Sequence, residues 1–236
     1  QTISPASNSP IIGIYQDSML GSYRFTRPNI NFSQKEAMNL LMMYNNVDIK
    51  LLNKSQNEKI SSFEVLSQIL PPLSLKVKNK LYNSEKETFG TSNNIIEIKN
   101  GTYIRGQMDK GILGSGTKGI IHRICNDFGN DQSGNFIDNL QNIITEYMTQ
   151  SSFSVGISDL KTDSKTYTKM DDIINNKKQE VYDLLDQVRL GIFENKSGKT
   201  NADEFETKVN NSLGKGQSDA GREALKSLDS DNRFVV

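Results

Sequence analysis

The sequence predicts an α+β fold: a mixed module of short strands and helices over residues 1–150, followed by a long antiparallel helical hairpin over residues 151–236. Three observations predict it. Leu73-Ser74-Leu75-Lys76-Val77-Lys78 alternates apolar and polar side chains, the period of a half-buried strand. Ile95-Ile96-Glu97-Ile98-Lys99 and Thr102-Tyr103-Ile104-Arg105 flank Asn100-Gly101, a dipeptide that tolerates positive φ at both turn positions and so sets a two-residue hairpin. From Tyr167 onward, Ile173, Ile174, Val181, Leu184, Leu185 and Val188 recur at helical spacing with no proline among them.

The chain opens with a short apolar run, Ile11 to Ile14, between Pro10 and the polar pair Gln16-Asp17. This predicts a buried strand that delivers two polar side chains at its end. Ser33-Gln34-Lys35-Glu36 has capping-box spacing, and Met38, Leu41 and Met42 supply the apolar face of the helix it starts. The Met38, Met42, Met43 set reads as core packing. Ser61 to Glu64 repeats the box, and Val65, Leu66 and Ile69 line the next helix. Pro71-Pro72 stops that helix, because proline lacks the donor and clashes with the preceding turn. Asn83 to Asn94 is polar and reads as a loop.

After the hairpin comes a glycine-dense run, Gly111 to Gly119. Thr117 is positioned to cap a helix through Ile120, Ile121, Ile124 and Phe128, with Gly129 ending it. A further helix is expected from about Asn135 to Met148, and Phe153 to Ile157 reads as a short strand. The arm returning from the Tyr167 helix begins at Asn201 and carries Phe205, Val209 and Leu213. The linker Asn195 to Thr200 suits an αα-hairpin turn. Gly214, Gly216 and Gly221 weaken that arm by about 1 kcal/mol each relative to alanine.

Composition narrows the function classes. The 236 residues carry 28 basic and 28 acidic side chains, so bulk charge argues for neither a nucleic-acid coat nor a membrane surface. The balance is uneven: residues 1–130 hold 15 basic and 10 acidic side chains, residues 131–236 hold 13 and 18. Cys125 is the single cysteine, so no intrachain disulfide is possible, which favours a reducing compartment. No apolar run approaches the roughly 20 residues of a membrane span. The chain starts on Gln1 and closes on Phe234-Val235-Val236, and both ends read as cuts in a longer polypeptide. Asn (25 residues), Lys and Ile are abundant, a usage that often accompanies AT-rich genomes and says nothing about chemistry.

Each candidate chemistry has a plain competitor. Gly111-Ile112-Leu113-Gly114-Ser115-Gly116-Thr117-Lys118-Gly119 invites a phosphate-loop reading, which requires Lys directly after the last glycine and Ser or Thr after it. Here Thr117 intervenes and Gly119 follows Lys118, so a flexible strand-to-helix connection is favoured over a small nucleotide-binding enzyme. His122 and Cys125 form a His-x-x-Cys pair, but two ligands do not make a zinc site. Asp171-Asp172 and Asp229-Ser230-Asp231 lack metal-loop spacing and read as solvated helix ends. Lys110, in Gln107-Met108-Asp109-Lys110-Gly111, is the more informative cation, placed between hairpin and glycine run.

The segments Ser4-Pro5…Pro10-Ile11-Ile12-Gly13-Ile14-Tyr15-Gln16-Asp17…Leu20-Gly21, extended by Thr26, resemble the largest subunit of multisubunit DNA-directed RNA polymerases of the eukaryotic and viral kind. Three more islands follow in the same order: the hairpin with Gly106-Gln107-Met108-Asp109-Lys110 and Gly119-Ile120-Ile121-His122, then Phe153-Ser154-Val155-Gly156-Ile157-Ser158-Asp159, then Ala220-Gly221-Arg222. Departures are Ser152 where the family often has glycine, Gly111 where it can carry a second lysine, and the glycines Gly214 and Gly216 in the last helix.

The resemblance implies that residues 1–150 form a pore domain and residues 151–236 the start of a funnel domain, lining a secondary channel through which nucleotides enter. It implies nucleoside triphosphates, the RNA 3′ end, a TFIIS-like cleavage factor and the other polymerase subunits as partners, and no membrane. It puts Lys110 on the channel lining, with Arg105 and Lys118 as further contributors, and Gln16 and Asp17 near the active centre. The family's Asp-Phe-Asp-Gly-Asp loop for catalytic Mg2+ is absent from this sequence, as are its bridge helix and trigger loop. No catalytic or metal-binding residue is therefore expected here; Mg2+ belongs to the full nucleotidyltransferase, and this piece is expected to be inactive alone. The host is expected to be cellular, with the protein in the nucleus, or a large DNA virus, with the protein in host cytoplasm or virion; the Asn/Lys-rich usage leans viral. The competing reading is a non-enzymatic scaffold that binds a partner through the helical hairpin.

Overall fold

The computed structural model describes residues 1–52, 58–85, 87–195, 197–229 and 232–235. Among the described residues helices dominate, with two small antiparallel sheets, an α+β arrangement. The chain divides into two compact units, Gln1–Phe153 and Ser154–Val236.

In the first unit, α1 (Gln16–Phe25) leads into β1 (Asn31–Phe32), α2 (Gln34–Leu40) and α3 (Ile49–Leu52). Then come β2 (Ile60–Ser61), α4 (Ser62–Ile69), and the strands β3 (Leu75–Lys78), β4 (Ile95–Lys99) and β5 (Thr102–Arg105). A single turn, α5 (Lys110–Leu113), precedes α6 (Ile120–Phe128) and α7 (Asn130–Ser151). β1 pairs β2, and β4 sits between β3 and β5.

Local chemistry explains most starts and stops. Both capping boxes form: Ser33 accepts from the Glu36 amide while Glu36 accepts from the Ser33 amide, and Ser61 and Glu64 do the same. The β4–β5 turn places Asn100 and Gly101 at φ 46° and 78°. Gly129 ends α6 at φ 90°, although Gly119, not Thr117, holds its N-cap position. A tight junction makes that choice: a Cβ on Gly119 would lie 2.5 Å from the Ile112 carbonyl oxygen.

The core gathers α1, α2, α4, α6, α7 and one sheet face. Phe25 stacks on Phe32 at 5.4 Å, and Tyr147 meets both edge-on at 5.1 and 6.1 Å. Gly21 lets α1 touch α7, since a Cβ there would fall 2.4 Å from Ile144 Cγ2. The Arg24 guanidinium lies 5.2 Å from the Phe153 ring centroid and donates to the Ser152 carbonyl at 2.7 Å.

Several expectations are corrected. Ile11 to Ile14 is no buried strand: Ile11 and Ile12 are 61% and 48% exposed, and only Ile14 is buried. The only pairing there, among the described residues, is an isolated bridge between Ile3 and Pro10, so nothing covers a second apolar face. Gln16 and Asp17 therefore open α1 and do not end a strand. Met38, Met42 and Met43 are 51%, 75% and 65% exposed, not core. The buried side of α2 is Ala37, Leu40 and the adjoining Leu41. Small Ala37 centres that face, and the helix ends before Met42 can join it. Phe153 to Ile157 forms no strand among the described residues; Ile157 starts a 3-10 turn, Ile157–Leu160.

The second unit is a hairpin of α8 (Ser164–Arg189) and α9 (Asn201–Ser227). Asp163 and Thr200 cap them, and Asn195 closes the linker by donating to the Lys199 carbonyl at 2.8 Å. Phe193 meets Phe205 edge-on at 6.1 Å, with Lys208 Nζ 4.5 Å from the Phe193 centroid. Leu213 faces outward; the seam of α9 runs instead through Ser212, Gly216 and Ala220. Ser212 donates to Glu180 at 2.8 Å, and Gly216 abuts the Lys177 stem. Asp171 and Asp172 lie exposed inside α8 rather than at an end. Residues 230 and 231 of the Asp229-Ser230-Asp231 cluster, and Val236, lie outside the described residues.

Candidate functional site

The site is the turn between β5 and α6, which carries Lys110 and Lys118. Its geometry starts at Gly106, which adopts φ 110°; a Cβ there would lie 2.4 Å from Ile96 Cα. That close approach turns the chain off the sheet. Gln107 then donates its amide to the Asn93 carbonyl at 2.9 Å, and Met108 donates to the buried Thr26 hydroxyl at 2.9 Å. Asp109 caps the α5 turn, accepting from Ile112 N at 3.2 Å, and also accepts from Lys80 N at 2.8 Å. Ile112 and Leu113 are fully buried and anchor the turn from below.

The glycine run is thereby a packed connection. Gly114 sits where a Cβ would come 2.5 Å from the Lys110 carbonyl oxygen. This is a steric reason for glycine, separate from any need to cradle phosphate. Ser115 to Lys118 are exposed, as is Lys110 at the start of α5. Among the described residues, no carboxylate pairs with Lys110 or Lys118. Ile14 donates its amide to the Leu113 carbonyl at 2.9 Å, so the segment leading into Gln16 and Asp17 is stitched to the turn that carries Lys110. Gln16 enters α1 at φ 51°, and both Gln16 and Asp17 are exposed.

Arg105 is placed differently. Its guanidinium grips Glu97, with Nη2 at 2.8 Å and Nε at 3.0 Å, and Nη2 also donates to the Phe89 carbonyl at 3.2 Å. Lys99 and Lys76 approach the same carboxylate at 3.3 and 3.5 Å. The Arg105 bond first, and the two lysines after it, hold the Glu97 carboxyl below its ordinary range. Arg105 thus braces the outer sheet face. Beneath it, burial pushes the Tyr103 phenol up; its hydroxyl donates to the Gly106 carbonyl at 2.7 Å.

His122 and Cys125 do not converge on a metal. His122 Nε2 lies 3.0 Å from the Asn8 carbonyl, and Cys125 Sγ donates to Asn130 at 3.1 Å. Among the described residues, no three His, Cys, Asp or Glu side chains gather in a way that could hold a metal ion. The site offers two exposed cations, Lys110 and Lys118, on a turn anchored by buried Ile112 and Leu113.

Residues 1–160 match the family model described as RNA polymerase Rpb1, domain 3. The chain belongs to that family. It is 27% identical over 235 residues, 99% of its length, to the DNA-directed RNA polymerase II subunits RPB1-B and RPB1-A of Trypanosoma brucei brucei. The chain spans 13% of the length of those relatives. It is a portion of the largest subunit of a DNA-directed RNA polymerase, and the partner-binding scaffold is not favoured. Within the Rpb1 domain 3 match lie Gln16, Asp17, Arg105, Lys110 and Lys118. Two supports of the turn escape sequence reasoning: the Thr26–Met108 bond and the double role of Asp109. Thr26 carries a signal only as part of a resembling motif, and Asp109 only as the acidic neighbour of Lys110.

Proposed function

We propose that this chain builds the wall of the polymerase secondary channel, with residues 1–150 as pore and residues 151–236 as the start of the funnel. The observation that carries it is Lys110: exposed, without a carboxylate partner among the described residues, on a turn locked from below, inside the Rpb1 domain 3 match. A cation fixed at a channel wall raises the local concentration of triphosphate by focusing the field. Lys118 adds to that field from the same turn. Arg105, engaged by Glu97, contributes rigidity more than free charge. The neighbouring Gln16–Asp17 segment faces the active centre in this reading.

Phosphoryl transfer needs metal to neutralise developing charge. That Mg2+ is supplied by polymerase parts outside this chain, which is inactive alone and works with the other subunits. A TFIIS-like cleavage factor and the extruded RNA 3′ end are the further partners, the funnel hairpin meeting the factor. Among the described residues no helix is long and apolar enough to cross a membrane. The trypanosomal relatives support a eukaryotic type of enzyme and the nucleus as its compartment; neither relative supports a viral source.

The test is Lys110→Glu in the assembled polymerase, followed by elongation rate against nucleotide concentration. The half-saturating nucleotide concentration should rise, with the maximal rate nearly kept. An unchanged concentration removes the role.

A further inference from the structure

Asn100-Gly101 is the single Asn-Gly pair in the sequence, and it carries a chemistry besides its turn. The backbone nitrogen that follows an asparagine can attack the side-chain amide carbon. A C–N bond forms, the bond to the side-chain NH2 breaks, and ammonia leaves with the proton that the backbone nitrogen gives up. Water then opens the ring from either side, leaving aspartate or isoaspartate. Water is the sole co-reactant. Glycine favours the attack, because no Cβ shields its nitrogen.

Three contacts hold that nitrogen back. Gly101 is buried and donates its N–H to the Leu73 carbonyl at 2.9 Å. Asn100 donates its own amide to the Ser74 hydroxyl at 3.0 Å. On its other side Gly101 packs against Pro71, whose carbonyl oxygen would stand 3.0 Å from an added Cβ. The Asn100 side chain is exposed, so water reaches it freely; the nucleophile is what the fold withholds. We propose that Asn100 is a latent deamidation site, shut while residues 71–74 clamp the β4–β5 turn and open only when that clamp lets go. The rate is then the free rate multiplied by the fraction of time the turn is open. Hydrogen exchange at the Gly101 amide passes through the same opening, since the same N–H must leave Leu73. The product bears on the lysine turn. Isoaspartate lengthens the main chain by one methylene, which a two-residue turn does not accommodate. β5 runs from this turn to Arg105, and its register with β4 sets Arg105 opposite Glu97.

The experiment ages the full-length subunit in its native complex at mildly alkaline pH. Digestion with pepsin at acid pH halts the reaction, and mass spectrometry counts the gain of one mass unit at Asn100. Parallel samples in D2O give the exchange rate of the Gly101 amide, and a synthetic peptide of residues 95–105 gives both free rates. Deamidation should be at least about tenfold slower in the complex than in the peptide, with exchange slowed by the same factor to within about threefold. Ser74→Ala, an exposed position, should speed both processes together by about fivefold, the effect of losing one hydrogen bond. Deamidation in the complex at the peptide rate overturns the proposal. So does slow deamidation beside a freely exchanging Gly101 amide, or a Ser74→Ala variant that speeds neither process or only one.

Discussion

The backbone amide of Met108 donates to the buried hydroxyl of Thr26 at 2.9 Å, across 82 positions of sequence. The same hydroxyl donates to the Ser22 carbonyl at 2.7 Å, so it is satisfied in both directions. One side chain on the end of α1 thus fixes where the chain leaves the sheet and starts the lysine turn.

Thr26→Val keeps the shape and removes the acceptor, leaving a buried N–H unpaired. That costs about 1–3 kcal/mol. Urea unfolding should show the loss, and Thr26→Ser should recover most of it. Equal stability of the valine and serine variants would mean that the bond contributes nothing.

Asp109 anchors the same turn from the other side. Asp109→Ala removes the cap on Ile112 and the acceptor for Lys80, at a cost of about 1 kcal/mol. The Ile112 amide should exchange with deuterium measurably faster, while amides of α7 keep their protection. Uniform loss across both would indicate global destabilisation instead.

Two glycines in helices should respond in opposite directions to alanine. At Gly214 nothing lies within 4 Å of a new Cβ, so Gly214→Ala should raise stability by about 1 kcal/mol through helix propensity. At Gly21 the new Cβ meets Ile144 Cγ2 at 2.4 Å and Met148 Cγ at 2.8 Å. Overpacking there costs about 1–3 kcal/mol, so Gly21→Ala should melt earlier despite its better propensity.

Glu97 sets an acid limb. Its carboxyl is held below the ordinary value of 4.5 in the folded state, so the unfolded chain binds the proton more readily. The contribution is complete above the ordinary value and is lost as pH falls through the lowered one. Glu97→Gln should flatten this part of the stability curve below about pH 4.5 and leave its shape near neutrality unchanged. A wild-type curve with an identical acid slope would refute the assignment. Raised salt should narrow the difference, because Lys76 and Lys99 are partly exposed.

Features closed within three or four residues are legible in the amino-acid order alone. Ser33–Glu36 and Ser61–Glu64 satisfy their own helix ends, and Asn100-Gly101 makes its turn by backbone preference. Pattern fails where burial depends on partners. Ile11 and Ile12 look like core but face outward, because no second layer lies over them among the described residues. The weakly apolar Ala37 outranks Met38 in α2 and Met42 and Met43 just after it, since it is the residue that α2 turns toward the core. In α9 the seam runs through Ser212, Gly216 and Ala220, residues whose value is small size and which therefore carry little hydropathy signal.

At the candidate site the division is the same. The sequence by itself determined the family, through islands of residues in order, and the position of Lys110 between hairpin and glycine run. Only the tertiary structure decided which cations stand clear. Arg105 and Lys110 are five positions apart and carry the same charge. Strand pairing places Arg105 opposite Glu97, whereas the turn set by Gly106, Thr26 and Asp109 leaves Lys110 exposed and without an ion pair among the described residues. The physical reason is that charge is a property of a residue, but its neutralisation depends on what the rest of the chain brings within a few ångströms.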